Sequence, residues 1–385
     1  MLGNLHGIAQ QRAWTRREFL RAAAGVSAGT ALSQFSPLHA AVGDTRKKTV
    51  VVTFGGGARD EETFAPQGQE NIPHLLGELI PQSTFCTQVV NQGILGHYVA
   101  TASLATGVYE TFDNFANVAP SHPTVFEYYR KSLRRPANDT WVIAPSNGFN
   151  GIGQSNGSQI APGYGAQVIL PKHLLASALG PQHPKSSDFN FLLQDSYEDP
   201  LSTPPLVKTD VPLSRLNEIL NLSVEDFTRH AQTVSSADEL SVFVMRQLMR
   251  QLAPSLLWIT LHDMDVAHSG AYSLYLEGIR RTDRLCGEIW KTIESDPEYR
   301  GRTTMFILPD FGRDSDLDAG GNGFQHHRTG DPLSRTTWMM VLGPGVRQNV
   351  TVDRPLSSLD LVPTLGAMIG FPTPRAQGKP ILEVI

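Results

Sequence analysis

Short apolar runs that end in glycine- and acid-rich loops recur along this sequence and most limit the folds it can adopt. The clearest run, residues 305–308, is followed by Pro309, Asp310 and a glycine- and aspartate-rich loop that ends in His326 and His327. The run has the length and flanks of a buried strand, and Pro309 has no N–H to extend the hydrogen-bond ladder. Asp310 is therefore predicted to lie where a strand ends and a loop begins.

Similar runs and amphipathic segments alternate along the rest of the chain. Further strands are predicted at residues 49–54, 87–90, 140–144, 255–261 and 338–342. Helices are predicted at residues 71–80, 101–106, 123–132, 213–222, 237–252, 275–293 and 357–369. This alternation predicts an α/β fold with a mostly parallel sheet sandwiched between helices.

Two segments lack a periodic pattern. Residues 147–165 are rich in glycine, asparagine and serine, and residues 182–210 are rich in proline and serine. We therefore expect one domain over residues 49–385, with an irregular insertion around residues 147–210. The sequence contains no internal repeat.

Charge and cysteine content exclude some classes of protein. The net charge is -5 and no basic block lies in the body of the chain, which argues against a nucleic-acid partner. The two cysteines, Cys86 and Cys286, could form a disulfide or remain as buried free thiols. No segment after the first 41 residues is predicted to span a membrane.

The first 41 residues have the pattern of an export signal. Arg16 and Arg17 precede a short, weakly apolar run and a zone of small residues around Ala40 and Ala41. This order predicts a twin-arginine signal peptide over residues 1–41, cleaved near Ala40 or Ala41, and a periplasmic or secreted protein. An ordinary basic amphipathic helix is the alternative. Because the twin-arginine route carries folded proteins, a metal could be loaded before export.

Candidate metal ligands follow three of the predicted strands, at residues 55–62, 262–268 and 310–327. Asp263, Asp265 and His268 form one set, and aspartate with histidine suits zinc or manganese better than calcium. Alternatively, Asp265 caps the next helix and His268 contacts a backbone carbonyl. Of His326 and His327, only one is expected to face a metal, because neighbouring side chains point apart.

Residues 97–106 hold further candidates for catalysis. His97 precedes the helix that Gly107 is expected to end, and it could be a ligand, a base or a buried hydrogen-bonded histidine. Thr101 and Ser103 are candidate nucleophiles, but no G-x-S-x-G signature accompanies them. A serine-hydrolase interpretation is therefore weakly supported.

The order of these motifs resembles the alkaline phosphatase/sulfatase superfamily from Val50 to the end of the sequence. The chain is most similar to a twin-arginine-exported, sulfatase-like branch of bacterial proteins that have not been characterised. The matching residues are Gly56, Gly57, Ala58, His97, Asp265, His268, the Asp310-Phe311-Gly312-Arg313 motif and either His326 or His327. The resemblance implies an alkaline-phosphatase-like fold and metal-dependent hydrolysis of phosphate or sulfate esters.

The sequence departs from active members of that superfamily at three positions. Gly55 stands where they place a metal-binding aspartate, and His97 stands near their nucleophile. Phe311 follows Asp310 where they place a histidine, and phenylalanine cannot bind a metal. The resemblance therefore implies one metal, held by Asp265 or Asp263 with His268 and one late histidine.

Two functions follow as hypotheses. The first is an exported hydrolase of a small anionic ester, with a divalent zinc or manganese ion and a water molecule. Asp310 or His97 would act as a base or second ligand, and Arg313 would bind the anionic substrate through two N–H groups. The second is a catalytically degenerate pseudo-enzyme that binds a partner or an envelope component.

Overall fold

The computed structural model describes residues 47–116, 118–180, 189–193, 211–316 and 320–385. Its strands are β1 Lys48–Phe54, β2 Ser83–Val90, β3 Thr140–Ile143, β4 Gln167–Ile169, β5 Leu256–Leu261, β6 Thr303–Pro309, β7 Thr336–Leu342 and β8 Val350–Ser357. They form one sheet in the order β4-β3-β5-β1-β6-β7-β2-β8. Only β7 runs antiparallel to its neighbours, so the predicted mostly parallel sheet is confirmed.

Helices cover both faces of the sheet. The longer ones are α1 His97–Thr106, α2 Val125–Leu133, α3 Pro171–Leu179, α4 Val224–Ala231, α5 Ala237–Leu252, α6 Tyr272–Ser295 and α7 Leu361–Ile369. Short α or π segments occur at Leu75–Leu79, Asn190–Leu193, Leu216–Leu220 and Pro332–Arg335. Short 3-10 segments occur at Asp60–Glu62, Gln69–Asn71, Ile80–Gln82, Ala137–Asp139, Asn147–Gly153, Leu213–Arg215, Asp263–Ser269, Gly323–Gln325, Ser358–Asp360 and Leu382–Val384.

The central strand β1 shows how the sheet separates two cores. Val50, Val51 and Val52 are fully buried, and their β-branched side chains suit an extended backbone. Because successive side chains point to opposite faces, Val50 and Val52 pack in the core that contains α5 and α6. Val51 packs in the core that contains α1, α2 and α7. Each face of the sheet is thus closed by helices.

The two cysteines lie in different cores and are free thiols. Cys86, on β2, belongs to the α1 side of the sheet, and Cys286, on α6, belongs to the other side. Burial raises the pKa of Cys86 to about 12 and also raises the pKa of Cys286. The structure therefore decides for buried thiols and against a disulfide.

Several predicted boundaries differ from the structure. The helix predicted at residues 123–132 starts after Thr124, which forms a capping box with Glu127, so Pro123 lies outside it. The strands β4 and β8 were not predicted, because β4 is very short and β8 alternates with polar residues. Within the predicted insertion, β4 and α3 are regular, whereas residues 181–188 and 194–210 lie outside the described ranges.

The export prediction also lies outside those ranges, because it rests on residues 1–41. In the described part of the chain, no helix is both long enough and apolar enough to cross a membrane.

Candidate metal centre

The candidate site lies where the central parallel strands β1, β5 and β6 end. Gly55, just after β1, donates its N–H to the carbonyl oxygen of Leu261 at 2.7 Å. Asp310, just after β6, donates its N–H to the carbonyl oxygen of Phe54 at 3.3 Å. Parallel strands deliver their carboxyl ends to one edge, which is where ligands bind in open α/β sheets. The three loops that carried candidate ligands in the sequence therefore converge.

Four side chains form a cluster at this edge: His97, Asp265, His268 and His327. Each offers one ligand atom, and these atoms all lie within 4.8 Å of one another. His97 and Asp265 are each only 2% exposed, whereas the two other histidines are partly buried. Ligands from three separate parts of the chain thus meet at one point that solvent reaches from the side of His268 and His327.

His97 bridges two carboxylates. Its Nδ1 lies 2.7 Å from Oδ2 of Asp310, and its Nε2 lies 2.9 Å from Oδ1 of Asp265. If the ring were neutral and protonated on Nδ1, the lone pair of Nε2 would face Oδ1 of Asp265, so two acceptor atoms would lie against each other. A proton or a metal cation must therefore lie between Nε2 and that carboxylate. Burial lowers the pKa of His97, but the charges of Asp265 and Asp310 outweigh it and raise the pKa to about 9.

His268 and His327 face each other through their Nε2 atoms at 3.0 Å. His268 Nε2 also lies 3.2 Å from Oδ1 of Asp265. Burial, together with the nearby positive charges of His97 and Arg313, lowers the pKa of His327 to about 2. His327 is therefore neutral, which is the form in which imidazole binds a metal.

Asp265 has a buried oxygen that no described residue satisfies with a hydrogen bond. This atom is Oδ2, and Nε2 of His262 lies 3.7 Å from it, beyond hydrogen-bond distance. Burial opposes ionisation of Asp265, but the charges of His97 and His262 hold its pKa well below its usual range. A buried, ionised oxygen without a hydrogen-bond partner fits a bound cation.

The wider loop that carries Asp265 is held by Asp238, which the sequence analysis did not single out. The fully buried carboxylate of Asp238, in the first turn of α5, accepts the backbone N–H of His262 at 2.8 Å and that of Asp263 at 2.8 Å. An acidic residue in the first turn of a helix is common, so no signal in the sequence distinguished it. Nor does Asp265 cap a helix, since α6 begins after Ala271.

Phe311 forms an apolar wall of the site. Its ring centroid lies 4.7 Å from that of His97 and 4.5 Å from that of His327. It is fully buried and packs with Leu95 and Ala100. Phe311, which stands where the resemblance implies a histidine, therefore presents a hydrocarbon surface that offers no metal ligand.

The structure places Arg313 inside the protein. Its guanidinium donates to the carbonyl oxygens of Gly57 at 3.3 Å and Phe324 at 3.0 Å, and to Oδ1 of Asp265 at 3.3 Å. The residue is 1% exposed. These contacts differ from the predicted role in substrate binding, because the N–H groups already hold Asp265 and two loops in position.

Two predicted metal ligands lie outside the cluster. His326 is exposed, whereas its neighbour His327 faces His268, so the pair does point apart. The side chain of Asp263 instead pairs with Arg281 at 3.0 Å. The structure thus brings together Asp265, His268 and His327 and adds His97, which Asp310 holds.

The glycine loop after β1, residues 55–57, passes close to the backbone of Phe311. Gly57 has a φ of +59°, and a Cβ there would lie 2.4 Å from the carbonyl oxygen of Phe311. We expect Gly57→Ala to lower the free energy of unfolding by about 2 kcal/mol or more, through backbone strain and a clash with backbone. Chemical denaturation measures this loss.

Gly77→Ala is the matched control for that measurement. Gly77 is exposed, and no atom lies within 4 Å of the position of an added Cβ. Its replacement should leave the stability unchanged or slightly higher. Equal stability changes in the two variants would contradict the close approach of the Gly57 loop to Phe311.

Comparison with known proteins identifies the fold. No family model and no curated protein matches the sequence. Many solved structures do match, among them the lipoteichoic acid synthase LtaP from Listeria monocytogenes, with a TM-score of 0.53 and 10% identity over 88% of this chain and 75% of that one. A protein of the alkaline phosphatase superfamily from Vibrio parahaemolyticus matches with a TM-score of 0.52 and 13% identity, over 88% of this chain and 70% of that one.

A third match is the wild-type alkaline phosphatase PafA, with a TM-score of 0.52 and 10% identity over 89% of this chain and 99% of that one. At identities this low, the structural matches show a common fold alone. The alkaline-phosphatase-like fold predicted from the order of motifs is thereby confirmed.

Proposed function

We propose that this chain, which has the fold of the alkaline phosphatase superfamily, is a hydrolase of phosphate or sulfate esters that uses one divalent metal. Asp265, His268 and His327 would hold the ion. The observation that carries this proposal is the buried Oδ2 of Asp265, which has no hydrogen-bond partner among the described residues and lies beside histidine nitrogens. Imidazole and carboxylate ligands favour zinc or manganese.

When bound, a divalent ion acidifies a water molecule and polarises an ester oxygen. The chain's own residues orient the groups around it. Asp310 accepts the Nδ1 proton of His97 and is itself held by the N–H groups of Gly56 at 3.3 Å and Phe311 at 3.0 Å. This leaves Nε2 of His97 directed at the cluster, where it can take or return a proton. Arg313 holds Asp265 in position through the hydrogen bond that it donates to Oδ1.

A second candidate is the pseudo-enzyme, and the position of His97 favours it. A catalytic zinc site has three protein ligands and an open position, whereas a structural site is closed by four. If His97 Nε2 is the fourth ligand beside Asp265, His268 and His327, the ion has no open position for substrate. The fold would then serve to bind a partner or an envelope component.

We also propose that the protein is exported by the twin-arginine route to the periplasm or beyond the cell. The support is the sequence pattern around Arg16 and Arg17. Replacement of both arginines by lysine should retain the protein in the cytoplasm, as cell fractionation would show.

Turnover of an ester panel separates hydrolase from pseudo-enzyme. We expect the zinc- or manganese-loaded protein to hydrolyse an aryl phosphate, an aryl phosphodiester or an aryl sulfate, and Asp265→Asn to lower kcat/KM by roughly 100-fold or more. His74→Gln is the control, because His74 pairs with Glu78 outside the cluster. Bound metal without turnover on any ester would overturn the hydrolase and support the four-ligand pseudo-enzyme.

A further inference from the structure

A cavity of about 570 Å³ lies at the edge of the sheet opposite the candidate metal centre. Its walls include Lys47, which directly precedes β1, and Thr304, near the start of β6. The metal centre lies beyond the other end of the same strands. Since β6 has seven residues, the strand separates the two places by roughly 20 Å. The cavity is therefore distinct from the candidate active site.

The charged side chains of this cavity are all cationic. Lys47, Arg300 and Arg302 line it together with Ile385, whose main-chain carboxylate ends the printed sequence, and no aspartate or glutamate side chain does. Lys47 Nζ donates to the carbonyl oxygen of Met368 at 3.0 Å. Within the described ranges, neither the Arg300 nor the Arg302 guanidinium has a hydrogen bond or ion pair, in contrast to Arg281, which pairs with two carboxylates. In a chain of net charge -5, three cations thus surround one cavity.

The loop that carries the two arginines is fixed by its backbone. The N–H of Arg300 donates to the carbonyl oxygen of Asp296 at 2.8 Å, and the N–H of Arg302 donates to that of Tyr299 at 3.2 Å. Tyr299 is fully buried, and its hydroxyl donates to the carbonyl oxygen of Pro254 at 3.1 Å. Little loop entropy would be lost when a ligand binds, so the two guanidinium groups are available without rearrangement of the loop.

The remaining walls are largely apolar, since they include Pro344, Ala367 and Met368. A cavity of about 570 Å³ is also much larger than a free phosphate or sulfate ion. We propose that this cavity binds an anionic group, a phosphate, sulfate or carboxylate, that is attached to an apolar body. Arginine suits the anionic group because its planar fork donates two hydrogen bonds in parallel.

Titration calorimetry with hexyl phosphate tests this site. At low salt, hexyl phosphate binds and inorganic phosphate binds more weakly, because only the former covers the apolar wall. Arg300→Ser and Arg302→Ser each weaken binding about tenfold or more, since each removes a charged donor. Arg250→Ser is the matched control, because Arg250 is exposed on α5 and has no hydrogen bond or ion pair with the rest of the described chain.

Vesicles distinguish the sources of the ligand. Sedimentation with phosphatidylglycerol vesicles, but not with phosphatidylcholine vesicles, identifies a lipid headgroup; binding of hexyl phosphate alone identifies a soluble amphiphilic anion. Either result supports the site if Arg300→Ser and Arg302→Ser weaken the binding that is observed. Equal affinity for inorganic and hexyl phosphate overturns the apolar part of the proposal. No binding of any probe, or an equal effect of Arg250→Ser, overturns it entirely.

Discussion

Replacement of His268 by glutamine is expected to remove most of the thermal stabilisation that zinc or manganese gives to the metal-free protein. Nε2 of His268 lies 3.0 Å from that of His327 and 3.2 Å from Oδ1 of Asp265. The replacement therefore removes one of the proposed metal ligands from the centre of the cluster. At a metal concentration of 100 times Kd, binding stabilises the folded state by about 2.7 kcal/mol. A variant whose Kd is about 100-fold higher would keep only about 0.4 kcal/mol at that concentration.

Thermal denaturation of chelator-treated protein, with and without added metal, measures this difference. His74→Gln makes the same chemical change at a histidine whose Nδ1 lies 2.8 Å from Glu78, outside the cluster. This control should retain the full metal effect. If zinc and manganese fail to raise Tm in the unaltered protein, or if His268→Gln retains the rise, the metal centre at these residues is wrong.

The second large effect is expected from His97. In the metal-free protein this ring is the only described cationic side chain within 3 Å of both the Asp265 and the Asp310 carboxylates. Its replacement by leucine leaves two buried carboxylates without that charge. Breaking a buried ion pair by removal of one partner costs about 3–5 kcal/mol, and we expect a loss of that size in the free energy of unfolding.

The same interaction sets the pH dependence of the metal-free protein. The pKa of His97 is about 9 in the folded state, against the ordinary histidine value of 6.5 that applies to the unfolded chain. Because the folded pKa is the higher one, the stabilisation is fully present below pH 6.5 and is lost as the pH rises towards 9. The loss should be about 3 kcal/mol in wild type and absent from His97→Leu.

Thr101→Val is the control for His97→Leu, because Thr101 lies on the same helix, α1. Thr101 lies one turn after His97, is fully buried, and its hydroxyl makes no hydrogen bond to the described residues. Removal of an unsatisfied hydroxyl should be neutral or stabilising. Urea denaturation at pH 6, 7.5 and 9 compares the three proteins. A pH slope that persists in His97→Leu would show that another group titrates.

The sequence by itself was sufficient for the fold class and for the edge of the sheet that carries the site. Hydrophobic periodicity is a local property, so the runs that became β1, β5 and β6 were visible without any tertiary contact. Parallel strands must deliver their carboxyl ends to a common edge, which placed Asp265 and Asp310 together in advance. The order of short motifs then pointed to an alkaline-phosphatase-like arrangement, which the shared fold confirms.

Only the tertiary structure decided which side chains meet. The antiparallel direction of β7, the choice of His327 over His326 and the pairing of Asp263 with Arg281 all depend on backbone turns and side-chain directions that a sequence pattern does not contain. The internal role of Arg313 is of the same kind, because its partners come from distant loops. His97 reaches Asp265 and Asp310 because α1 starts at the same sheet edge, and that contact across more than 160 residues is a property of the folded chain alone.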